Sequence, residues 1–328
     1  MRDRTTLGAF LLIVLLAGGS GVAIRFSNHE LAPLWGATLR FAIATVVLLV
    51  ALIALRIPLP RGRAAVGSAL YGILGFGITF GLAYWGLVDV GAGLAQIILA
   101  LVPLFTFLLA VAQGLERFRW QTLVGTVIAL AGIAVIFGDQ VRDAVPLISM
   151  LAVVGGAFSM AESNVVIKRF PRAHPVATNA VAMGAATLVL LAATLVTGEP
   201  RAVPTMGQTW LAIGYVSVVG SVGVFTLFVY VIARWSASAS SYVMLLIPLV
   251  TVSLGAVLDH EAVTWAYLVG GPMVLAGVYV GVFAQPIRLG ARRPAPGPMR
   301  PTAATEPAAL ATVEAPLTDD GVGNPGCS

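Results

Sequence analysis

Ten runs of apolar residues, each about 20 long and nearly free of charge, leave this chain few ways to fold. They lie at 7–24, 34–55, 64–86, 91–112, 119–137, 146–166, 176–197, 208–232, 237–258 and 264–284. Lipid offers no partner to a backbone N–H or C=O, so runs of this length must close their hydrogen bonds internally, as helices. The two-residue alternation of a membrane β-barrel is absent. Of 328 residues, 59% are hydrophobic and 10% charged, where a water-soluble domain carries about 25% charged. The fold class expected is an all-α membrane protein with ten transmembrane helices.

The first run follows Arg2 and Arg4 and has the outline of a cleaved leader. The corresponding run of the second half, near 146–166, is internal, so the first is expected to be a retained helix. Placing the N-terminus in the cytoplasm puts fifteen Lys and Arg residues in inside segments and three (Arg25, Arg142, Arg201) outside, with Arg40 inside the second run. Positive charge is retained on the cytoplasmic side, so both termini are expected there. Basic residues dispersed through short loops form no soluble basic face, which disfavours nucleic acid as a partner. Only one of the nineteen basic residues is lysine, a bias suggesting a GC-rich bacterial genome and hence an inner-membrane location. The lone cysteine, Cys327, excludes a disulfide framework and a thiolate metal site. From about residue 286 the chain is rich in Pro, Ala and Gly without apolar periodicity, as expected of a disordered cytoplasmic tail.

The chain also repeats itself. An offset of 145 residues pairs Gly75 with Gly220, Phe80 with Phe225, Pro103 with Pro248, Thr106 with Thr251, Glu116 with Glu261 and Trp120 with Trp265. Five spans per copy is an odd number, so the second copy enters the membrane from the opposite side. The expected domains are a first five-helix repeat at 1–140, a second at 141–285 and the tail at 286–328. Inverted repeats of this kind support alternating access around a central site.

Pro103 and Pro248 fall near the middle of spans four and nine, where each removes a donor and crowds the carbonyl four residues back, of Leu99 and Met244. Gln96 and Ser241 precede them by seven residues on nearly the same helical face, and Gln113 lies close to that face. Polar groups avoid hydrocarbon, so these faces are expected to line a central cavity; hydrogen bonding between helices of a dry bundle is the alternative. Arg40, two turns into span two, is a candidate ligand for a substrate carboxylate or a snorkelling cation. Glu162 is the most deeply placed carboxylate and the candidate proton carrier, or else pairs with an arginine or with Lys168. Tyr84, Trp85 and Tyr230 flank substrate or belong to the interfacial aromatic belt. Glu116 and Glu261 are expected to sit at the N-termini of the helices that follow them, favoured by the dipole, with Trp120 and Trp265 as interfacial anchors; a gating role is the alternative for both pairs. The glycine-dense faces at Gly72–Gly81 and Gly277–Gly281 suit close helix packing and leave association between copies open.

No Walker A loop, serine nucleophile with a nearby base, or carbonyl selectivity filter occurs. An enzyme and a selective ion channel are both disfavoured, and no cofactor or metal is implied. "GSGVAIRFS" with "PLWGATLRF", and "GLVDVGAGLAQIILALVPLFTFLLAVAQGLERFRWQTLVGTVIALAGIAVIFG", resemble the EamA-type carriers of the drug/metabolite transporter superfamily. The Gly-Leu-Glu-Arg turn at Gly114–Arg117 is one residue longer than the usual form, and its second copy, "DHEAVTW", lacks the arginine. The resemblance covers about residues 7–284. It implies secondary transport, and in particular efflux, of small metabolites such as amino acids, or of drugs. A non-transporting membrane scaffold and a lipid or polyprenyl-carrier translocase are the competing classes.

Overall fold

The computed structural model describes residues 4–28, 30–86, 89–90, 92–138, 146–258 and 265–283. Every regular element among them is helical. The order is α1 (Arg4–Asn28), α2 (Pro33–Ala54), α3 (Arg63–Gly72), a π-helical segment π1 (Ile73–Ile78), α4 (Thr79–Gly86), α5 (Ala92–Leu99), α6 (Val102–Ala112), α7 (Trp120–Phe137), α8 (Leu147–Arg169) and α9 (Pro175–Thr197). Then come α10 (Gly207–Ser217), π2 (Val218–Gly223), α11 (Val224–Arg234), α12 (Ala237–Ser241), α13 (Val243–Leu258), α14 (Trp265–Val278) and π3 (Tyr279–Phe283). Eight helical stretches are long and apolar enough to cross a bilayer, and the apolar helices Arg4–Gly19 and Ala237–Ser253 are shorter. The chain is a multi-pass membrane protein.

Local chemistry sets the ends. Pro33 and Pro175 open α2 and α9 in a first turn that needs no donor from them. Gly114 (φ 72°) and Gly198 (φ 68°) take the left-handed conformation just past α6 and α9. The following N–H groups reach back five residues, Leu115 to Ala110 O at 2.8 Å and Glu199 to Thr194 O at 3.2 Å. Each turn delivers a glutamate onto another helix. Glu199 accepts from Leu34 N (3.0 Å) and Trp35 N (3.1 Å), the uncapped start of α2. Glu30, in the α1–α2 connection, accepts from Thr205 N and Oγ1 and from Met206 N ahead of α10. Those groups gather at one end of the bundle. Gln113, Glu116, Arg169 and Arg234 belong to the other.

The longest interfaces are α7 with α14 and α2 with α9. Between α7 and α14 the backbones nearly touch: a Cβ on Gly277 would stand 2.5 Å from both Gly125 O and Ala129 N. Further packing comes in matched pairs, α1 on α13 and α8 on α6, α1 on α10 and α8 on α3, α1 on α11 and α8 on α4. The two π segments begin at residues 73 and 218, 145 apart, and α7 and α14 begin at 120 and 265, also 145 apart. Trp120 and Trp265 are 65% and 79% exposed, the placement of interfacial anchors.

Candidate substrate site

Arg40 lies on the second turn of α2 and is only 5% exposed. Its Nε donates to Ser221 Oγ at 2.7 Å and its Nη2 to the Gly220 carbonyl at 3.2 Å, both in π2. Ser221 is held in turn by donating to Val216 O, five residues back, at 2.9 Å. A π-turn of this kind opens the helix for an outside partner and recurs at functional sites. The guanidinium carbon stands 5.3 Å from the Phe41 ring centre and 5.5 Å from that of Phe80. Half-buried Tyr84 is close enough to feel its charge. Among the described residues no carboxylate pairs with Arg40. A cation held inside a bundle without a counter-charge is costly and marks a binding function by default.

A ladder of rings leads inward from this cation. Tyr84 meets Phe80 (6.0 Å), Phe80 meets Phe41 (5.3 Å), Phe41 stacks on Phe76 (5.3 Å), and Phe76 touches both Tyr71 (5.2 Å) and Phe225 (4.4 Å). Tyr71, Phe76 and Phe225 then line a central cavity of about 20 Å³, together with Asn164 of α8 and Met244 and Ile247 of α13. That volume is enough for a water molecule and too small for a metabolite.

The sequence-based candidates divide. Arg40 and Tyr84 share one site. The turns before Pro248 reach the central cavity through Met244 and Ile247, and Thr106, one turn after Pro103, lies 3.5 Å from Asn164 Nδ2. Span four is interrupted where expected, just after Leu99, whereas span nine is not interrupted at its proline. Span four breaks between α5 and α6, leaving Pro103 in the first turn of α6, where its missing donor costs nothing. Span nine breaks at Tyr242 and runs helically through Pro248. At that break Tyr242 Oη lies 2.6 Å from Thr126 Oγ1 and donates to Thr122 O at 3.0 Å. Gln96 is half-buried in α5, and Ser241 is fully buried and donates to Ser238 O at 2.8 Å. Trp85 is 49% exposed. Tyr230 lies under the Arg234 guanidinium, whose carbon is 3.5 Å from its ring centre, at the far end of the bundle from the Arg40 cluster.

Two carboxylates also find unexpected partners. Glu162 accepts from Gln113 Nε2 through both oxygens, at 2.9 and 2.8 Å, while Gln113 Oε1 accepts from Arg169 at 3.5 Å. The amide thus stands between the carboxylate and the arginine expected to pair with it, and Lys168 is not the partner. Glu116 does not cap α7, the helix it precedes. It accepts from Ser238 N (3.0 Å) and from the Ser238 hydroxyl, in the first turn of α12. The Gly114 turn swings it across to a serine-rich turn in which Ser236 Oγ accepts from Ala239 N and lies 3.2 Å from the Ser238 hydroxyl. Glu261 lies outside the described residues. Sequence reasoning missed Ser221, Phe41 and Phe76, and had Phe225 only as the repeat partner of Phe80; the one local signal for Ser221 was a serine among the glycines of "VVGSVG".

A multi-pass helical bundle that buries a cation without a counter-charge beside aromatic rings is the frame within which the sequence comparisons are to be placed. The profile of the EamA-like transporter family matches twice, over residues 5–138 and 147–283, and the chain belongs to that family. It is 29% identical to the "Uncharacterized inner membrane transporter YedA" of Escherichia coli K12, over 85% of this chain and 92% of the relative. It is 30% identical to a "Probable terminal-alkyne amino-acid exporter" of Streptantibioticus cattleyicolor, over 92% of this chain and all of the relative. A "Probable amino-acid metabolite efflux pump" of E. coli K12 is 23% identical over 83% and 93%. One solved structure, described only as "Crystal structure of protein", shares the fold with a TM-score of 0.75 at 21% identity, covering 85% of this chain and 96% of its own.

Proposed function

We propose that this chain is an alternating-access exporter of small carboxylate-bearing metabolites, amino acids among them, in a bacterial inner membrane. Ten crossings form two inverted five-helix repeats, 1–140 and 141–285, with both termini cytoplasmic. The matched packing of α1 and α8, and the π segments at equal register, support the repeat. The distribution of Lys and Arg supports the orientation. The end carrying Glu116 and Tyr242 is then the cytoplasmic gate, and the end carrying Glu30 and Glu199 the outer one. Efflux is the direction the names of the relatives suggest.

The observation that carries this reading is Arg40, buried without a carboxylate partner at the head of an aromatic ladder. It takes the substrate carboxylate, while the rings of Phe41, Phe80 and Phe76 take the apolar body. The cation is one-sided: offsets from 142 to 145 place Ala182, Met183, Gly184 or Ala185 opposite it in the second half. Gln96, Pro103, Gln113, Ser241, Pro248, Trp85 and Tyr230 do not join this first contact. Those on α5, α6, α12 and α13 act as the broken helices move, and Glu162 is the proton carrier.

Counterflow in proteoliposomes tests the proposal, comparing a panel of amino acids with the amines that lack only the carboxylate. Saturable exchange of the acids alone is expected, with an Arg40→Gln loss of roughly 10- to 100-fold, the worth of a charge-assisted hydrogen bond. Equal exchange of the amines, or no saturable exchange of any acid, overturns it.

A further inference from the structure

At the end of the bundle that carries Arg169 and Arg234 lies a second pocket, of about 660 Å³. It shares no residue with the central cavity, because it uses the opposite face of α11. Thr226, Leu227 and Ala233 form its wall, and Arg234, Arg172 and His174 its rim. Arg234 is fixed there, donating from Nη1 to Tyr230 O at 3.2 Å and stacking on the Tyr230 ring. A smaller adjoining pocket shares Arg172 and adds Lys168. No Asp or Glu lines either one. Glu116, within electrostatic reach of Lys168, is engaged by Ser238, and Glu162 by Gln113.

Two further features ask for an anion. Thr226 Oγ1 is buried and has no hydrogen-bond partner among the described residues. Thr45, Thr187 and Thr251 each return their hydroxyl to the carbonyl four residues back, and Thr226 does not. A buried hydroxyl left open points to a ligand that is not part of the chain. The 23-residue helix α9 also begins at this rim, and its N-cap His174 supplies no side-chain cap. Its positive end adds to the arginines.

We propose that this pocket seats the headgroup of an acidic phospholipid, with Arg172 and Arg234 on the phosphate and Thr226 donating to a headgroup oxygen. Guanidinium groups match phosphate geometry, and basic pockets at helix ends on the inner side of a membrane suit such lipids. The apolar wall of Leu227 and Ala233 selects a lipid over a free phosphate, since it offers cover to the first carbons of the chains.

The full-length chain, delipidated in detergent, is titrated with mixed micelles of phosphatidylglycerol or phosphatidylcholine, and with soluble glycerol phosphate. Melting temperature and retained lipid are read. Phosphatidylglycerol alone is expected to stabilise, saturably. Its half-saturating fraction should rise about fivefold for each of Arg172→Gln and Arg234→Gln, the worth of one charge near an anionic surface. Thr226→Val should raise it two- to tenfold, and decides alone if the arginine variants fail to fold. Arg61→Gln with Arg63→Gln, basic residues outside the pocket, should change nothing. The proposal is overturned if the pocket variants respond as the wild type does, if the Arg61/Arg63 variant loses as much, or if phosphatidylcholine or glycerol phosphate stabilises equally.

Discussion

Arg40 and Ser221, 181 residues apart in sequence, share a 2.7 Å hydrogen bond that ties the second helix of the chain to the π-helical segment of the eighth span. The same serine hydroxyl donates to Val216 O, so Arg40 is aimed by a group that is itself fixed. A buried charge without a counter-charge is costly to hold, so removing it recovers desolvation energy that offsets the loss of its hydrogen bonds to Ser221 and Gly220. Arg40→Met is therefore expected to melt at or above the wild-type temperature in detergent while losing binding of carboxylate substrates. A lowered melting temperature would assign Arg40 to the scaffold.

The interface of α7 and α14 is set by backbone approach. A Cβ on Gly277 meets main-chain atoms of Gly125 and Ala129 at 2.5 Å, and main chain cannot step aside as a flexible side chain can. Gly277→Ala is expected to cost about 1–3 kcal/mol, as overpacking does. Gly8→Ala, with open space around its Cβ, serves as the control, and thermal melting of the two variants makes the comparison.

Much of this architecture was legible in the chain. The limits of the spans follow from where apolar runs end, and observed helix ends fall within a few residues of those runs. The 145-residue offset brought out Phe80 and Phe225, and the structure puts π1 and π2 in that same register. Contacts between distant segments were not legible. Nothing local to Glu116 says that it serves α12 rather than α7, because the choice depends on which helix end the Gly114 turn faces. Likewise a glycine-dense run permits either close packing or a π-turn, and only the guanidinium arriving from α2 gives π2 its use. A proline misleads for a related reason: Pro248 could kink span nine, but the break falls before it, at Tyr242.

Glu116 holds the first turn of α12 through the N–H and hydroxyl of Ser238. Glu116→Gln keeps the shape and removes the charge, and should cost about 0.5–2 kcal/mol, the range for a lost helix cap. Ser238→Ala removes the same contact from the other side, so the double variant should lose less than the sum of the two. Thermal melts of the three variants check this; strict additivity would mean that the two residues do not act on each other.

At the opposite end, hydrogen bonds from the Thr205 hydroxyl, then from its N–H, hold the Glu30 carboxyl at a pKa of about 2, down from 4.5. A depressed folded-state pKa stabilises the fold above the unfolded value and loses that contribution as pH falls toward the folded one. The melting-temperature difference between wild type and Glu30→Gln should therefore be constant above about pH 5. It should shrink between 4.5 and about 2. A difference that stays flat to pH 2 would place the Glu30 contact outside the folding equilibrium.

Glu162 tests coupling separately from binding. Its two oxygens both accept from the Gln113 amide, whose own oxygen accepts from Arg169, so the carboxylate sits where α6 and α8 are fastened together. Glu162→Gln should then leave substrate exchange intact in proteoliposomes, since exchange needs no net proton movement, while abolishing the response of net flux to an imposed pH gradient. Gln113→Ala, which frees the carboxylate without removing it, should preserve that response. If Glu162→Gln transports as the wild type does under the gradient, the proton moves elsewhere and the Glu162–Gln113 pair is a fastening between two helices.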